Sequence, residues 1–239
     1  MRQSNTYIIL YAAAITFVCG GLLAFAAVSL KDRQDANVAL EQKKNILSSA
    51  ISLKEGDDIN AIYADQVNGF VLDVDGNVKE GMSPVQVIIA REYKKAPKDR
   101  LLPVYEFRSK EDSSKIEYAV MPVYGFGLWN NIWGFVAVKS DFNTIQGVRF
   151  SHAGETPGLG ARIDSDEVQD RFKGKTLFDN GTLKYVTIQK GEGVDYSDEP
   201  HKVDGMSGAT LTGKGVNNML VDYLSCYEKY LKKNAAANQ

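Results

Sequence analysis

The stretch Asp204-Gly205-Met206-Ser207-Gly208-Ala209-Thr210 sets a carboxylate, two hydroxyls and two glycines just ahead of a long amphipathic segment. That segment, Thr212 to Lys233, carries Val216, Met219, Leu220, Tyr223, Leu224, Tyr227 and Leu231 at helical spacing, which makes one apolar face. A helix amino terminus presents unpaired N–H groups and about half a positive charge. Such an end suits a phosphate, with Gly205 and Gly208 allowing close backbone approach and Thr210 offering a hydroxyl. The competing reading is a glycine-rich N-cap in which Ser207 or Thr210 caps only its own helix.

Other patterns carry less. Gly208 to Lys214 satisfies G-x-x-x-x-G-K, but Gly215 stands where a nucleotide loop needs a Ser or Thr for magnesium. The preceding His201-Lys202-Val203-Asp204 is also not a buried strand. Asp73-Val74-Asp75-Gly76 brings its glycine two positions too early for a calcium loop and reads as a turn. His152 and Glu155 have no third ligand in sight, so a surface or hydrogen-bonding role is expected for them and no metal site is expected. Gly125-x-Gly127 and Gly158-x-Gly160 each lack the third glycine of a dinucleotide fingerprint. With two cysteines and two histidines, the chain alone cannot build a four-ligand zinc site or an iron-sulfur cluster. Redox chemistry would have to come from an organic cofactor or another subunit. Lys plus Arg total 28 against 30 acidic residues, a balance that offers no basic excess for nucleic acid.

The elements that must hold the glycine-rich stretch are short runs rich in β-branched and aromatic residues. Gly69–Leu72, Val85–Ile89, Val104–Phe107, Ile116–Val123, Ile132–Val138, Ile145–Phe150 and Lys184–Gln189 are predicted strands. Asp75-Gly76-Asn77 is a hairpin signal, and Asp166–Lys173 reads as a helix. Runs of strands followed by helices, without strict alternation, predict an α+β domain on an antiparallel sheet. The domain is expected to span residues 61–233, followed by a disordered tail at 234–239.

Residues 3–30 contain no charge, and the apolar stretch 7–30 is long enough for a helix to cross a ~30 Å hydrocarbon layer. It is read as a retained transmembrane anchor; Ala24-Phe25-Ala26 is a possible signal cleavage site, but this run exceeds the usual signal length. Residues 31–60 follow as stalk helix and linker. No disulfide is expected between Cys19, in mid-span, and Cys226. Lys31, Arg33, Lys43 and Lys44 follow the span against Arg2 before it, so a positive-inside count places the domain in the cytoplasm.

Asp204 to Thr210 resembles the D-x-x-[ST]-G-A-T signature of proteins carrying FMN as a phosphoester on the last threonine. Gly154-Glu155-Thr156-Pro157-Gly158-Leu159-Gly160 is similar to the E-T-P-G-L-G flavin loop of the same domain, and Gly125-Phe126-Gly127-Leu128-Trp129 to its G-x-G-L-W segment. In that order, behind one anchor, they resemble the covalent FMN-binding domain family, as found in the C subunit of the sodium-translocating NADH:quinone oxidoreductases. The G subunit of the related Rnf complex shares the anchor and signature, but the longer domain and the Gly-Leu-Trp segment favour the sodium-translocating family. A reading of another class is a tethered, non-redox module that binds a phosphate ligand reversibly.

The resemblance implies that a flavin transferase moves FMN from FAD onto Thr210, where Gly205, Ser207, Gly208 and Ala209 surround the attachment point. Asp204 is expected to orient this loop or serve the transferase's metal. Glu155, Thr156, Leu159 and Gly160 are expected to line the flavin, Trp129 to shield or stack near its ring, and Lys190 to place positive charge near its reduced edge. No residue is expected to act catalytically beyond the flavin itself. The family further implies a bacterial inner-membrane translocase that relays electrons from NADH towards ubiquinone, coupled to sodium transport, with membrane partner subunits. It also implies a periplasmic domain, against the charge count.

Overall fold

The computed structural model describes residues 4–109 and 115–237. The chain divides after Gln42 into two units. The first belongs to α1, a continuous helix over Asn5–Ala50. Its most apolar 18-residue window has a mean hydropathy of 2.3, so α1 is long and apolar enough to cross a membrane. Residues 7–30 and the residues that follow them up to Gln42 belong to this one continuous helix.

The second unit, from Lys43, is built on five antiparallel strands in sequential order: β1 (Val67–Leu72), β2 (Leu102–Arg108), β3 (Ile116–Phe126), β4 (Asn131–Lys139) and β5 (Ile145–His152). Strand side chains alternate between two faces, and here both faces are buried. Leu102, Val104, Ala119, Met121, Val123, Val136 and Val148 pack on one side beneath α5 (Thr210–Ala237). All seven apolar positions expected on that helix are buried. Tyr227 pins it to the sheet by donating its hydroxyl to the carbonyls of Pro103 (2.9 Å) and Pro122 (3.3 Å).

On the opposite face, Tyr105, Phe107, Val120, Phe135 and Ala137 meet Ile46, Leu47 and Ala50 from the last turns of α1. The short helix α2 (Ile59–Gln66), capped by the Asp58 carboxylate, adds Ile59, Ile62 and Tyr63. The same turns of α1 shield the edge strand β5, where the Gln146 side-chain amide donates to the Ala50 carbonyl at 3.0 Å.

The α+β architecture agrees with the sequence reading, with four corrections. Val85–Ile89 is not a strand: Pro84–Gln86 forms a 3-10 turn, closed by reciprocal Ser83 and Gln86 bonds, that leads into α3 (Ile89–Glu92). Pro84 lacks an N–H to join a ladder, and its position at the first helical residue starts a turn instead. Of the run Lys184–Gln189 only β8 (Thr187–Ile188) is strand, paired in parallel with β9 (Lys202–Val203); just before the run, β6 (Phe178–Asp179) pairs with β7 (Thr182–Leu183). Helix α4 covers Asp166–Asp170 and stops short of Lys173. Finally, α5 begins at Thr210, two residues before the expected Thr212, and runs through Ala237. Cys19 and Cys226 are free thiols.

Candidate functional site

The three glycine-containing segments converge at one end of the sheet for topological reasons. Phe126 pairs with Asn131, so Gly127 to Asn130 is the β3–β4 hairpin turn, closed by Gly127 N–H to the Asn130 carbonyl at 2.8 Å. His152, the last residue of β5, pairs with Ile132 one step inside that turn, which delivers the loop 153–159 alongside it. Helix α5 starts over the same end: a Cβ on Gly215 would lie 2.6 Å from the Phe126 carbonyl, so only glycine permits this approach.

Thr210 is exposed and is the first residue of α5. The helix ladder begins with Gly213 N–H to the Ala209 carbonyl at 2.9 Å, so the amides of Thr210, Leu211 and Thr212 precede it. Ala209, buried at the N-cap position, has no side-chain oxygen to cap them. Ser207 and Thr210, the hydroxyls of the competing reading, flank that position. Gly208, with φ +75, turns the chain into the helix, and a Cβ there would meet Leu159 at 2.8 Å. Leu159 is 41% exposed and lies against the signature.

The Asp204 carboxylate accepts from the amides of Gly193 (2.8 Å), Val194 (3.2 Å) and Gly205 (3.0 Å). Gly205 is buried under the carbonyls of Gln189 and Gly191, which a side chain there would strike. Lys190, between those two carbonyls, is exposed beside the signature. Three residues that the sequence does not single out hold this loop from outside. Arg171 donates through Nη1 to the carbonyls of Asp204 (3.2 Å) and Gly205. Glu192 accepts the Ser207 amide at 2.8 Å and pairs with Arg162 at 2.5 Å. The Arg162 bond, followed by the Ser207 amide, lowers the Glu192 carboxyl pKa to about 2.

Glu155 lies in the loop after β5. Its side chain is only 4% exposed and points inward, where Oε1 accepts from the amides of Trp129 (2.9 Å) and Asn130 (3.3 Å). Oε2 accepts from the Thr212 hydroxyl at 2.6 Å. Burial pushes its pKa up, but the Thr212 hydroxyl and the amides of Trp129, Asn130 and Leu128 outweigh it and hold the carboxyl below its ordinary value. Glu155 thus ties the hairpin turn to the first turn of α5, while Gly160 packs tightly on Thr212. Trp129, far from being core, is 66% exposed and leans on Thr156, itself exposed.

His152 serves hydrogen bonding, its Nδ1 accepting the Glu155 amide at 3.2 Å with Asp164 3.6 Å from Nε2. The apparent calcium loop is an Asx turn in which the Asp73 carboxylate accepts the amides of Asp75 and Asn77. Among the described residues no cluster of His, Cys, Asp or Glu could hold a metal ion.

Comparison with known proteins matches this region. The pattern of the FMN-binding domain family fits residues 127–225, which contain the hairpin turn, the loop 153–159 and the signature. The C subunit of the Na(+)-translocating NADH-quinone reductase of Pseudomonas aeruginosa is 32% identical over 238 residues, covering 92% of this chain and 91% of that one. Its Haemophilus ducreyi counterpart is 35% identical over 218 residues, covering 85% and 83%. Among solved structures, the corresponding protein of Parabacteroides distasonis superposes with a TM-score of 0.73 at 33% identity, covering 84% of this chain and 96% of that chain. Shewanella oneidensis NqrC gives 0.67 at 30% identity, covering 82% and 97%. On these grounds, the chain belongs to the NqrC family, the C subunits of the Na(+)-translocating NADH-quinone reductases.

Proposed function

We propose that this chain carries FMN as a phosphoester on Thr210 and serves as an electron relay of a Na(+)-translocating NADH:ubiquinone reductase. It would be anchored in the bacterial inner membrane through residues 7–30 of α1, with its folded domain in the periplasm. The observation that carries the reading is Thr210 itself, an exposed hydroxyl on the first residue of a helix whose N-cap residue, Ala209, has no capping side chain. An anion there would meet N–H groups that the helix leaves unpaired. Gly208 fits the same purpose, since a Cβ would close the cradle between the signature and Leu159.

When bound, the flavin supplies the electron chemistry. The protein's tasks are attachment, orientation and exclusion of water. For attachment, the Thr210 hydroxyl loses its proton and forms a bond to the phosphorus of FAD's FMN half as the pyrophosphate bond breaks and AMP leaves. A flavin transferase would catalyse that step once. Leu159 and Trp129 would offer apolar surface to the ring, and Lys190 a positive charge beside the signature. Electrons would arrive from and leave to other subunits of the complex.

The test is a denaturing gel viewed under ultraviolet light, using the chain expressed with a flavin transferase. A fluorescent band at the chain's mass, heavier by FMN less one water, is expected for the native sequence and should be lost in Thr210→Val. A dark native band overturns the ester. Protease added to spheroplasts should degrade the domain; complete protection would contradict its periplasmic placement.

A further inference from the structure

The Glu155 carboxylate is unusual in its partners. It is buried, yet the groups it bonds are neutral dipoles: the amides of Leu128, Trp129 and Asn130 in the hairpin turn, and the hydroxyl of Thr212. Among the described residues it makes no ion pair. The site is shaped around the charge. A Cβ on Gly127 would lie 2.5 Å from Oε1, and one on Gly160 would lie 2.8 Å from Oε2, so both glycines make room for the carboxylate. Thr212, 1% exposed, sits in the first turn of α5 just after Thr210, and Thr156, next to Glu155 in sequence, holds Trp129. The carboxylate therefore lies within the cluster of segments around the attachment residue, shielded from water and bonded by dipoles alone.

We infer that Glu155 is a fixed negative charge that makes reduction of the flavin on Thr210 less favourable, and that Thr212 is the positioning residue that partly offsets that charge. The inference rests on the FMN reading above. An electron added to the ring brings a negative charge unless a proton follows, and a desolvated carboxylate nearby opposes it through a medium that screens weakly. The hydroxyl dipole of Thr212, pointing at Oε2, takes up part of that field. Removing the charge and removing its partner therefore act in opposite directions on the potential. Loosened packing would not produce opposite signs.

The experiment is a spectroelectrochemical titration of the full chain in detergent, after the denaturing gel has shown covalent flavin in each sample. Glu155→Gln should shift the midpoint potential to more positive values. Thr212→Val should shift it to more negative values, and Thr212→Ser should return it to the native value. A native chain without covalent flavin sinks the FMN reading and leaves no potential to measure. Loaded, folded Glu155→Gln with an unmoved potential overturns the present inference alone. Should Glu155→Gln fail to fold, the threonine pair decides, and equal potentials for Thr212→Val and Thr212→Ser overturn it.

Discussion

Trp129 donates its indole N–H to the hydroxyl of Thr156 at 3.1 Å, although the tryptophan is 66% exposed. A large apolar ring held at the surface by a single polar tether contributes little to folding, because it is not withdrawn from water. Its position makes sense as one wall of a site.

Trp129→Phe should therefore cost at most about 1 kcal/mol, the net worth of one hydrogen bond, in a urea unfolding curve. In the flavin-loaded chain it should raise flavin emission markedly, since an adjacent indole quenches flavin fluorescence. Unchanged emission would remove Trp129 from the site.

Gly160 and Gly158 are both glycines of one loop but differ in kind. A Cβ at Gly160 would strike the Thr212 hydroxyl and Glu155, whereas Gly158 has open space around it and a φ of +74. Gly158→Ala should cost about 1 kcal/mol through backbone strain. Gly160→Ala should cost roughly 1–3 kcal/mol through overpacking and also reduce flavin loading. Equal urea midpoints for the two variants would contradict this contrast.

Two carboxylates should tilt stability with pH in opposite directions. Burial raises the pKa of Glu106, despite the hydroxyl bond from Tyr230 at 2.8 Å and the charge of Arg108. Its favourable contribution is complete below the ordinary value of 4.5 and is lost as pH rises through the raised folded value. Glu106→Gln should thus unfold at higher urea than the native chain at pH 8, with the gap closing by pH 4. Glu155 has a lowered pKa, so its contribution is present above 4.5 and disappears as pH falls through the folded value. The deficit of Glu155→Gln should be largest near neutrality and shrink in acid; a deficit independent of pH would refute the assignment.

Arg171 and Glu192 grip the signature without belonging to it. Arg171→Ala would leave the Asp204 and Gly205 carbonyls without this donor, and Glu192→Gln would weaken the hold on Ser207. Each should slow covalent flavin incorporation several-fold in a gel time course, while circular dichroism retains the native helix content. Native incorporation rates in both variants would show that the loop holds itself.

What is legible in the sequence follows from how local each cause is. The apolar stripe Val216 to Leu231 marks the helix because its period is written in consecutive residues, and all of it is buried. The five main strands are equally readable, since each alternates between two packed faces. Val85–Ile89 misleads because its β-branched content argues for a strand while the outcome is decided by Pro84, whose N–H is missing. At the site, the glycine segments and Asp204 are readable because tight turns and helix starts demand particular residue types. Thr212, Arg162, Arg171 and Glu192 are not. Their partners lie 57 residues away for Thr212 and 30 for Arg162, and no periodicity records such a meeting. The inward turn of Glu155 is hidden for the same reason, although Gly127 and Gly160, as residues without a Cβ, hint at something needing space there.

Ile46, Leu47 and Ala50 are at most 2% exposed, wedged beneath the sheet face that α5 does not cover. A proteolytic cut in α1 between Lys31 and Gln42 would free a self-sufficient globule. A cut a few residues later would carry off its floor plate, and the released fragment would be left with a raw aromatic surface prone to clumping.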